Sequence, residues 1–180
     1  LAGVAFANAF LGINHSLSHK LGGWFHIPHG TANALLAPYV CKFNAQRHPY
    51  HMGTFSQYKY PQAFGRYVEL GELIGVKGKN DEETFKNWIK ALEQLKADID
   101  IPPTICDWLC EAHPEKSAED WEKEFLAAVD QMSEWAFHDA CTGANPVYPM
   151  IGELKQVYLR AFYGDDKFIE KYGDVLCVEV

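Results

Sequence analysis

The spacing of apolar residues most constrains the fold, because it is helical along much of the chain. Apolar side chains that recur every three or four residues share one face of an α-helix and bury it against a neighbour. Two such stripes are Phe85, Trp88, Ile89, Leu92 and Leu95, and then Trp121, Phe125, Val129, Met132 and Trp135. No run alternates with period two for long enough to predict a strand. The pattern predicts one all-α, multi-helical bundle of about six or seven helices, with both stripes in the core.

Capping residues mark several helix starts. Asn80 and Ser117 each precede an acidic residue three positions on, a pattern in which the first side-chain oxygen accepts a hydrogen bond from a free backbone N–H. Thr104 is a further candidate cap, for a short helix that runs to Cys110. Pro61 is a good first helical residue, and a last helix is expected from about residue 149 to 162. The segment between residues 46 and 60 is polar and aromatic, which predicts a long loop.

Four of the eight histidines lie between residues 15 and 29. His15 and His19 are four apart, so a helix would place both imidazoles on one face, one turn apart. Neutral imidazole is a common ligand for Zn(II) and Fe(II). The spacing therefore indicates a candidate metal site of His15, His19 and His29, with His26 as the bystander. The zinc-protease motif is absent because no Glu follows His15.

The chain between these histidines is expected to turn. Gly22-Gly23 should break the first helix, and Pro28 restricts the backbone again before a second helix from about residue 31 to 44. A helix–turn–helix of this kind would return His29 towards the first pair. The alternative is that the histidines cap carbonyls or fill half-buried slots, but four of them around one turn favour a functional site. His48 and His51 lie in a polar loop and are expected at the surface.

A second unusual segment runs from residue 138 to 146 and leaves a helix into a Gly/Asn/Pro turn. Cys141 could be a nucleophile beside His138, but such a pair needs contact and a third, orienting group. Nothing in the sequence indicates either. A loop that packs over a site is the favoured interpretation.

Charge and cysteine content exclude some classes of function. The net charge of −8 argues against a nucleic-acid partner and against an anionic membrane surface. Five cysteines at irregular spacing predict reduced thiols in a cytosolic protein, not a disulfide framework or a zinc knuckle. A cytoplasmic location is therefore expected.

Both ends of the sequence are distinctive. Residues 1–13 are almost wholly small and apolar, without the basic start of a signal peptide and too short to span a bilayer. They are expected to form a buried Ala/Gly-rich helix. Since there is no initiator Met, we expect the chain to be a piece of a longer polypeptide. Residues 174–180 could pair as an edge strand or form an extension.

Several segments together match a known family. They are residues 5–15, 16–22, 26–30, 32–34, 95–96, 101–102, 141–146, 148–149 and 153–155. On these residues, over roughly residues 1 to 164, the chain resembles the iron-containing (group III) alcohol dehydrogenase family. The resemblance is closest to the C-terminal half of the alcohol dehydrogenase part of bifunctional aldehyde–alcohol dehydrogenases.

The resemblance implies a fold and a metal centre. In that family a Rossmann-like NAD domain precedes an all-α metal domain of the dehydroquinate synthase-like type. Residues 1–164 would be the all-α metal-binding domain and residues 165–180 a C-terminal tail, with no Rossmann part in this chain. The family holds its metal by one Asp and three His. His15 and His29 would be the two ligands present here, and the other two would lie upstream of Leu1.

The resemblance also implies roles around the metal. His19 would be catalytic, lining the cleft near the nicotinamide and relaying a proton. Cys141 would lie on the nicotinamide side, and Phe6 would shape the substrate pocket. Val147 departs from the pattern, since relatives often carry Arg there, which weakens any charged role for this loop.

The implied activity is NAD-dependent interconversion of an aldehyde and a primary alcohol, with acetaldehyde and ethanol expected. The metal would be Fe(II), with Zn(II) as the alternative, and NAD(H) would bind in the full-length enzyme. Expected partners are the upstream NAD-binding and aldehyde dehydrogenase domains and further copies in a homo-oligomer or filament. The isolated chain is expected to be inactive. The competing hypothesis is a helical structural or oligomerisation domain whose histidines are not catalytic.

Overall fold

The structure, a computed structural model, describes residues 1–55 and 59–173, apart from the side chain of Ala2. These residues form α-helices and one 3-10 turn, Thr142–Ala144. The helices are α1 (Ala2–Ala9), α2 (Ile13–Phe25), α3 (His29–Asn44), α4 (Ala63–Leu73), α5 (Asp81–Asp98), α6 (Ile105–Ala112), α7 (Ala118–Phe137), α8 (Ile151–Tyr163) and α9 (Asp165–Tyr172). The described residues contain no sheet, only an isolated bridge between Met52 and Val147. The all-α prediction is confirmed, and the expected helix number is too low.

The predicted caps are present. The side chains of Asn80, Thr104 and Ser117 accept hydrogen bonds from the backbone N–H three residues on, at 2.8, 3.0 and 3.2 Å. Each bond satisfies one of the free N–H groups that a helix start leaves. Pro61 is not the first residue of α4, which begins at Ala63 after the N-cap Gln62.

The glycine pair does not break α2, so that prediction is wrong. The helix continues through Gly22-Gly23 to Phe25, whose side chain is buried in the core. Burial of this last turn outweighs the cost of roughly 1 kcal/mol that each helical glycine carries. The chain turns instead at His26, which adopts the left-handed conformation with φ 55°. Helix α3 then begins at His29, earlier than expected.

The main core lies where α2, α3, α6, α7, α8 and α9 meet, and aromatic rings fill its centre. Phe125 stacks on Phe162 with ring centroids 4.2 Å apart and on Phe25 at 5.6 Å. The buried Tyr158 donates its hydroxyl hydrogen to the Leu17 carbonyl at 2.7 Å. A smaller cluster between α4, α5 and the end of α3 comprises Ala45, Val68, Phe85, Trp88 and Ile89.

Three expectations of burial are wrong. Leu95 and Trp135 lie at the edges of their stripes and are 56% and 51% exposed. Trp135 packs instead on the partly exposed Trp24, with ring centroids 5.1 Å apart. Helix α1 is expected to be buried, but its Val4 and Phe6 side chains are more than half exposed. Phe10 has a left-handed backbone, φ 61°, and separates α1 from the helices of the core.

The segment expected as a tail begins with a helix. Helix α9 packs on α8 through Phe168, which is 1% exposed. At its start, Asp165 accepts hydrogen bonds from Lys42 at 2.7 Å and from Arg160 at 2.8 Å, which ties α9 to α3 and α8. Residues 174–180, considered above as an edge strand, lie outside the described residues. Within the described part, none of the helices has the length and apolar character needed to cross a bilayer.

Candidate active site

The N-terminal half of α2 and the first residue of α3 bring three histidines together. The ring of His15 lies 5.3 Å from that of His29 and 6.3 Å from that of His19, centroid to centroid. His19 and His29 stack at 5.6 Å with an angle of 19° between their planes. The turn at His26 therefore returns His29 to the other two rings, while His26 itself is exposed.

The electrostatics of His15 favour a neutral ring. Its side chain is half-buried, and burial lowers the pKa of His15, with the nearby His29 and His19 lowering it further. A neutral imidazole keeps a nitrogen lone pair, which is what metal coordination requires. The residues present thus fit a centre that takes nitrogen ligands.

Two asparagines hold the ring of His29. The Asn33 amide lies 3.0 Å from His29 Nε2 and also donates to the His29 carbonyl at 3.0 Å. Asn14 on α2 donates to Asn33 Oδ1 at 2.8 Å, so the ring is coupled to the helix that carries the other histidines. Among the described residues, the buried Oδ1 of Asn14 accepts no hydrogen bond.

Asp139, two residues after the end of α7, contacts one of the three histidines, His19. Its Oδ2 accepts from His19 Nδ1 at 3.1 Å and from Lys20 Nζ at 2.8 Å. Its Oδ1 accepts from the backbone N–H of Cys141 at 3.0 Å. Partial burial raises the pKa of Asp139, but the hydrogen bonds from Lys20, Cys141 and His19 outweigh burial and hold it well below its usual range. The carboxylate is therefore ionised at neutral pH.

The segment after α7 follows α2 in antiparallel register. Asn145 Oδ1 accepts from the backbone N–H of Ile13 at 3.2 Å. The Thr142 hydroxyl lies 2.8 Å from the Ser16 hydroxyl. With Asp139 and His19, these pairs form three polar contacts spaced three residues apart on both segments. We call this set the polar ladder.

Asn145 also substitutes for a missing cap. The N-cap of α2 is Gly12, which has no side chain, so the first N–H of the helix is satisfied by an amide 132 residues away. The Asn145 amide nitrogen donates to Asn44 Oδ1 at 2.7 Å and to the Val147 carbonyl at 2.6 Å. This buried network fixes the start of α2 against the loop and the end of α3.

Cys141 has the environment of a neutral thiol. Burial raises its pKa, and the hydrogen bond and the negative charge of Asp139 raise it further. A nucleophilic cysteine needs a lowered pKa, so the structure favours the interpretation of this loop as the wall of a site. The ring of His138 packs on Phe137 with centroids 5.2 Å apart.

An open cleft of about 620 Å³ runs beside this loop. Phe6 and Cys141 both line it, together with Phe10, Phe55 and Gly143. The cleft thus joins two residues that are 135 positions apart in the sequence. Cys141 also connects it to the histidines, because its sulfur, a His19 nitrogen and an Asp139 oxygen lie within 4.8 Å of one another.

That trio is the one group of three or more metal-ligand side chains that converges so closely among the described residues. Lys20, however, donates to the same Asp139 oxygen that contacts His19. Its ammonium charge would oppose a cation there. We therefore do not interpret the trio as the metal site, and His15 and His29 remain the predicted ligands.

Sequence reasoning missed three polar residues of this site. Asp139 and Asn145 lie in the segment from residue 138 to 146, and Asn33 lies four residues after His29, but the sequence pattern predicts no role for any of the three. Asn33 follows His29 by four residues, a spacing that places both on one helix face. Asp139 and Asn145 act across more than 100 residues, and no local pattern indicates such contacts.

Fold and geometry together define an all-α module with three clustered imidazoles close to an open cleft. The model of the Fe-containing alcohol dehydrogenase family, C-terminal, matches residues 1–162. The chain belongs to this family, so the resemblance seen in its motifs is confirmed at that level.

Relatives agree with this assignment. The bifunctional aldehyde-alcohol dehydrogenase of Escherichia coli strain K12 is 48% identical over 168 residues, covering 92% of this chain and 18% of that protein. The aldehyde-alcohol dehydrogenase of Clostridium acetobutylicum is 40% identical over 162 residues, covering 90% and 18%. The chain spans under a fifth of the length of these two relatives.

A solved structure shares the fold. The iron-containing alcohol dehydrogenase from Thermococcus thioreducens superposes with a TM-score of 0.68 at 32% identity. The match covers 91% of this chain and 35% of that one.

Proposed function

We propose that this chain is the metal-binding half of an NAD-dependent alcohol dehydrogenase within a bifunctional aldehyde–alcohol dehydrogenase. The reaction is the interconversion of an aldehyde, acetaldehyde in the first instance, and the corresponding primary alcohol. The observation that carries the proposal is the meeting of His15, His19 and His29 beside a cleft lined by Phe6 and Cys141. The identity to aldehyde-alcohol dehydrogenases supports the substrate class.

In this proposal His15 and His29 hold the metal, Fe(II) or alternatively Zn(II). A bound divalent ion supplies Lewis-acid polarisation of the substrate oxygen. Residues outside this chain complete the ligand set. Asn33 keeps the His29 ring in place through its amide.

The remaining residues act on the substrate side. His19 accepts the hydroxyl proton as the alcohol is oxidised and returns it in the reverse direction. Phe6 shapes the substrate pocket, and Cys141 and Gly143 form the wall against which the nicotinamide lies. Gly143 suits a flat ring, because a side chain added there would project into open space. NAD(H) itself binds to the upstream domain of the full-length enzyme.

The cytoplasmic location is part of the proposal. Cys41, Cys106, Cys110 and Cys141 are free thiols, as expected in a reducing compartment. Cys177 lies outside the described residues.

Metal analysis of the full-length protein that carries this chain tests the site. We expect His15→Ala and His29→Ala each to lose most of the bound metal and at least about 100-fold in activity, because each removes a direct ligand. His26→Ala, an exposed histidine of the same stretch, is the matched control and should keep both. Full metal content and activity in both ligand variants would show that the histidines are not ligands.

The isolated chain offers a second test. With two of four ligands and no NAD domain, it should bind metal weakly and show no turnover. NADH-dependent aldehyde reduction by the 180-residue chain would contradict the proposal.

A helical oligomerisation domain is the alternative function. The exposed Trp24–Trp135 pair favours it, since aromatic side chains are enriched at protein interfaces. A homo-oligomer or filament is compatible with both functions. If Trp135→Ser dissociates the full-length assembly while His15→Ala leaves activity intact, the alternative is the better description.

A further inference from the structure

The hydrogen bond between His19 and Asp139 determines which His19 nitrogen carries the proton. An ionised carboxylate only accepts hydrogen bonds, so the ring nitrogen that faces it must carry the hydrogen. Nδ1 of His19 faces Asp139 Oδ2 at 3.1 Å. A neutral His19 ring is then protonated at Nδ1 and keeps its lone pair on Nε2.

The carboxylate is held so that it cannot turn away from His19. Its Oδ1 is occupied by the Cys141 backbone N–H, and its Oδ2 is shared by His19 and Lys20. The backbone N–H of Asp139 also donates to the Ala136 carbonyl at the end of α7, so the residue sits on a rigid element. Both oxygens and the backbone of Asp139 are therefore fixed before any substrate binds.

The His19 ring, in contrast, is not held in one orientation by burial. Its side chain is 39% exposed, whereas that of Asp139 is 12% exposed. The nearest ring is that of His29, a stacking contact that fixes the plane of the imidazole but does not distinguish its two nitrogens. Asp139 supplies that distinction, in the way that a partner on one nitrogen sets the tautomer of a histidine.

We propose that Asp139 is a positioning residue that fixes the ring orientation and tautomer of His19, so that an unprotonated Nε2 is presented for proton transfer. This inference rests on the proposed function, in which His19 relays the hydroxyl proton. Alcohol oxidation requires a ring nitrogen that can accept a proton. Without Asp139, only part of the His19 population has that nitrogen in the right place.

The kinetic test uses the full-length protein and NAD-dependent oxidation of a primary alcohol. Asp139→Asn should lower kcat about 10–100-fold, the range for losing an orienting partner, with a much smaller change in KM. Asp139→Glu, which keeps the charge, should recover part of the loss. Asp165→Asn is the matched control: that carboxylate also has two cationic partners but lies at α9, so kcat should stay within about twofold.

A double-mutant cycle separates positioning from structural damage. If Asp139 acts through His19, adding Asp139→Asn to His19→Ala should lower kcat by less than about twofold further. The proposal would be overturned if Asp139→Asn lowered kcat by the same factor in the wild-type and the His19→Ala protein. An unchanged kcat in Asp139→Asn alone would overturn it as well.

Crystal structures of the full-length wild-type and Asp139→Ala proteins give a readout that needs no activity. The His19 ring should hold one orientation in the wild type and leave it in the variant. An unchanged ring would overturn the inference. If the wild type oxidises no primary alcohol, the proposed function fails, and the ring orientation still decides whether Asp139 positions His19.

Discussion

Helix α2 has two faces, and they are held by different forces. On one face Leu17, Leu21 and Phe25 enter the aromatic core formed with Phe125 and Tyr158. On the other face the polar ladder joins the helix to the segment that follows α7. Apolar burial contributes most of the stability of a domain but is non-directional. Hydrogen bonds contribute little net stability but fix geometry. The core therefore holds α2 in the fold, and the ladder ties the start of α2 and His19 to the segment that follows α7.

The most direct test of this difference removes an aromatic ring that packs against the apolar face of α2. Phe125→Ala should cost about 3–5 kcal/mol, because it leaves a cavity between Phe25 and Phe162. Phe6→Ala is the matched control, since its ring is 55% exposed and lines the cleft, and it should cost no more than about 0.5 kcal/mol. Urea unfolding followed by circular dichroism measures both. Equal costs would mean that the core does not dominate stability.

A smaller effect is expected on the polar face. Gly12→Ala would place a Cβ 2.6 Å from Asn145 Oδ1, so the buried amide or the start of α2 must shift. We expect a loss of about 1–3 kcal/mol, as for overpacking a filled interior. The backbone is not the cause, because Gly12 has φ −118°, which alanine adopts freely.

The control lies in the same helix. Gly23→Ala meets no atom within 4 Å and should stabilise the chain by about 0.5–1 kcal/mol through the helix propensity of alanine. Thermal unfolding of both variants measures the expected loss of stability in Gly12→Ala and the expected gain in Gly23→Ala. If Gly12→Ala is also stabilising, the start of α2 is not held by Asn145.

The smallest effect concerns an ion pair away from the site. Burial raises the pKa of Asp165, but the charges of Lys42 and Arg160 and their hydrogen bonds lower it overall. A lowered folded-state pKa means that the stabilisation is present above the unfolded pKa of about 3.9 and is lost as pH falls through the folded value. Asp165→Asn should therefore cost about 1 kcal/mol at pH 7 and progressively less below pH 4. A difference in unfolding free energy that grows with acid would contradict this sign.

Local features of the chain were predictable from the sequence. The caps at Asn80, Thr104 and Ser117 depend on residues three positions away, so the pattern contains all the interacting groups. The histidine cluster was predictable for the same reason, since its three rings lie within one helix–turn–helix.

Features that depend on distant packing were not predictable. The passage of α2 through Gly22-Gly23 depends on burial of Phe25 by other helices, which overrides the local preference of glycine. The exposure of α1 reflects the absence of a covering element in the described residues, which an apolar sequence does not reveal. The contact of Asp139 with His19 spans 120 residues, so the motif predicted a loop over a site but not which residue the loop contacts.

The contacts of the polar ladder can form only late in the synthesis of the chain. Its pairs are separated by 120 to 132 residues, so α2 leaves the ribosome long before its partners exist. At ordinary elongation rates of about 5–20 residues per second, that interval is roughly 6–26 s. For that time the start of α2 has neither Asn145 as its cap nor Asp139 beside His19. His19 thus acquires its contact with Asp139 only after the segment that follows α7 has been synthesised and has docked on α2.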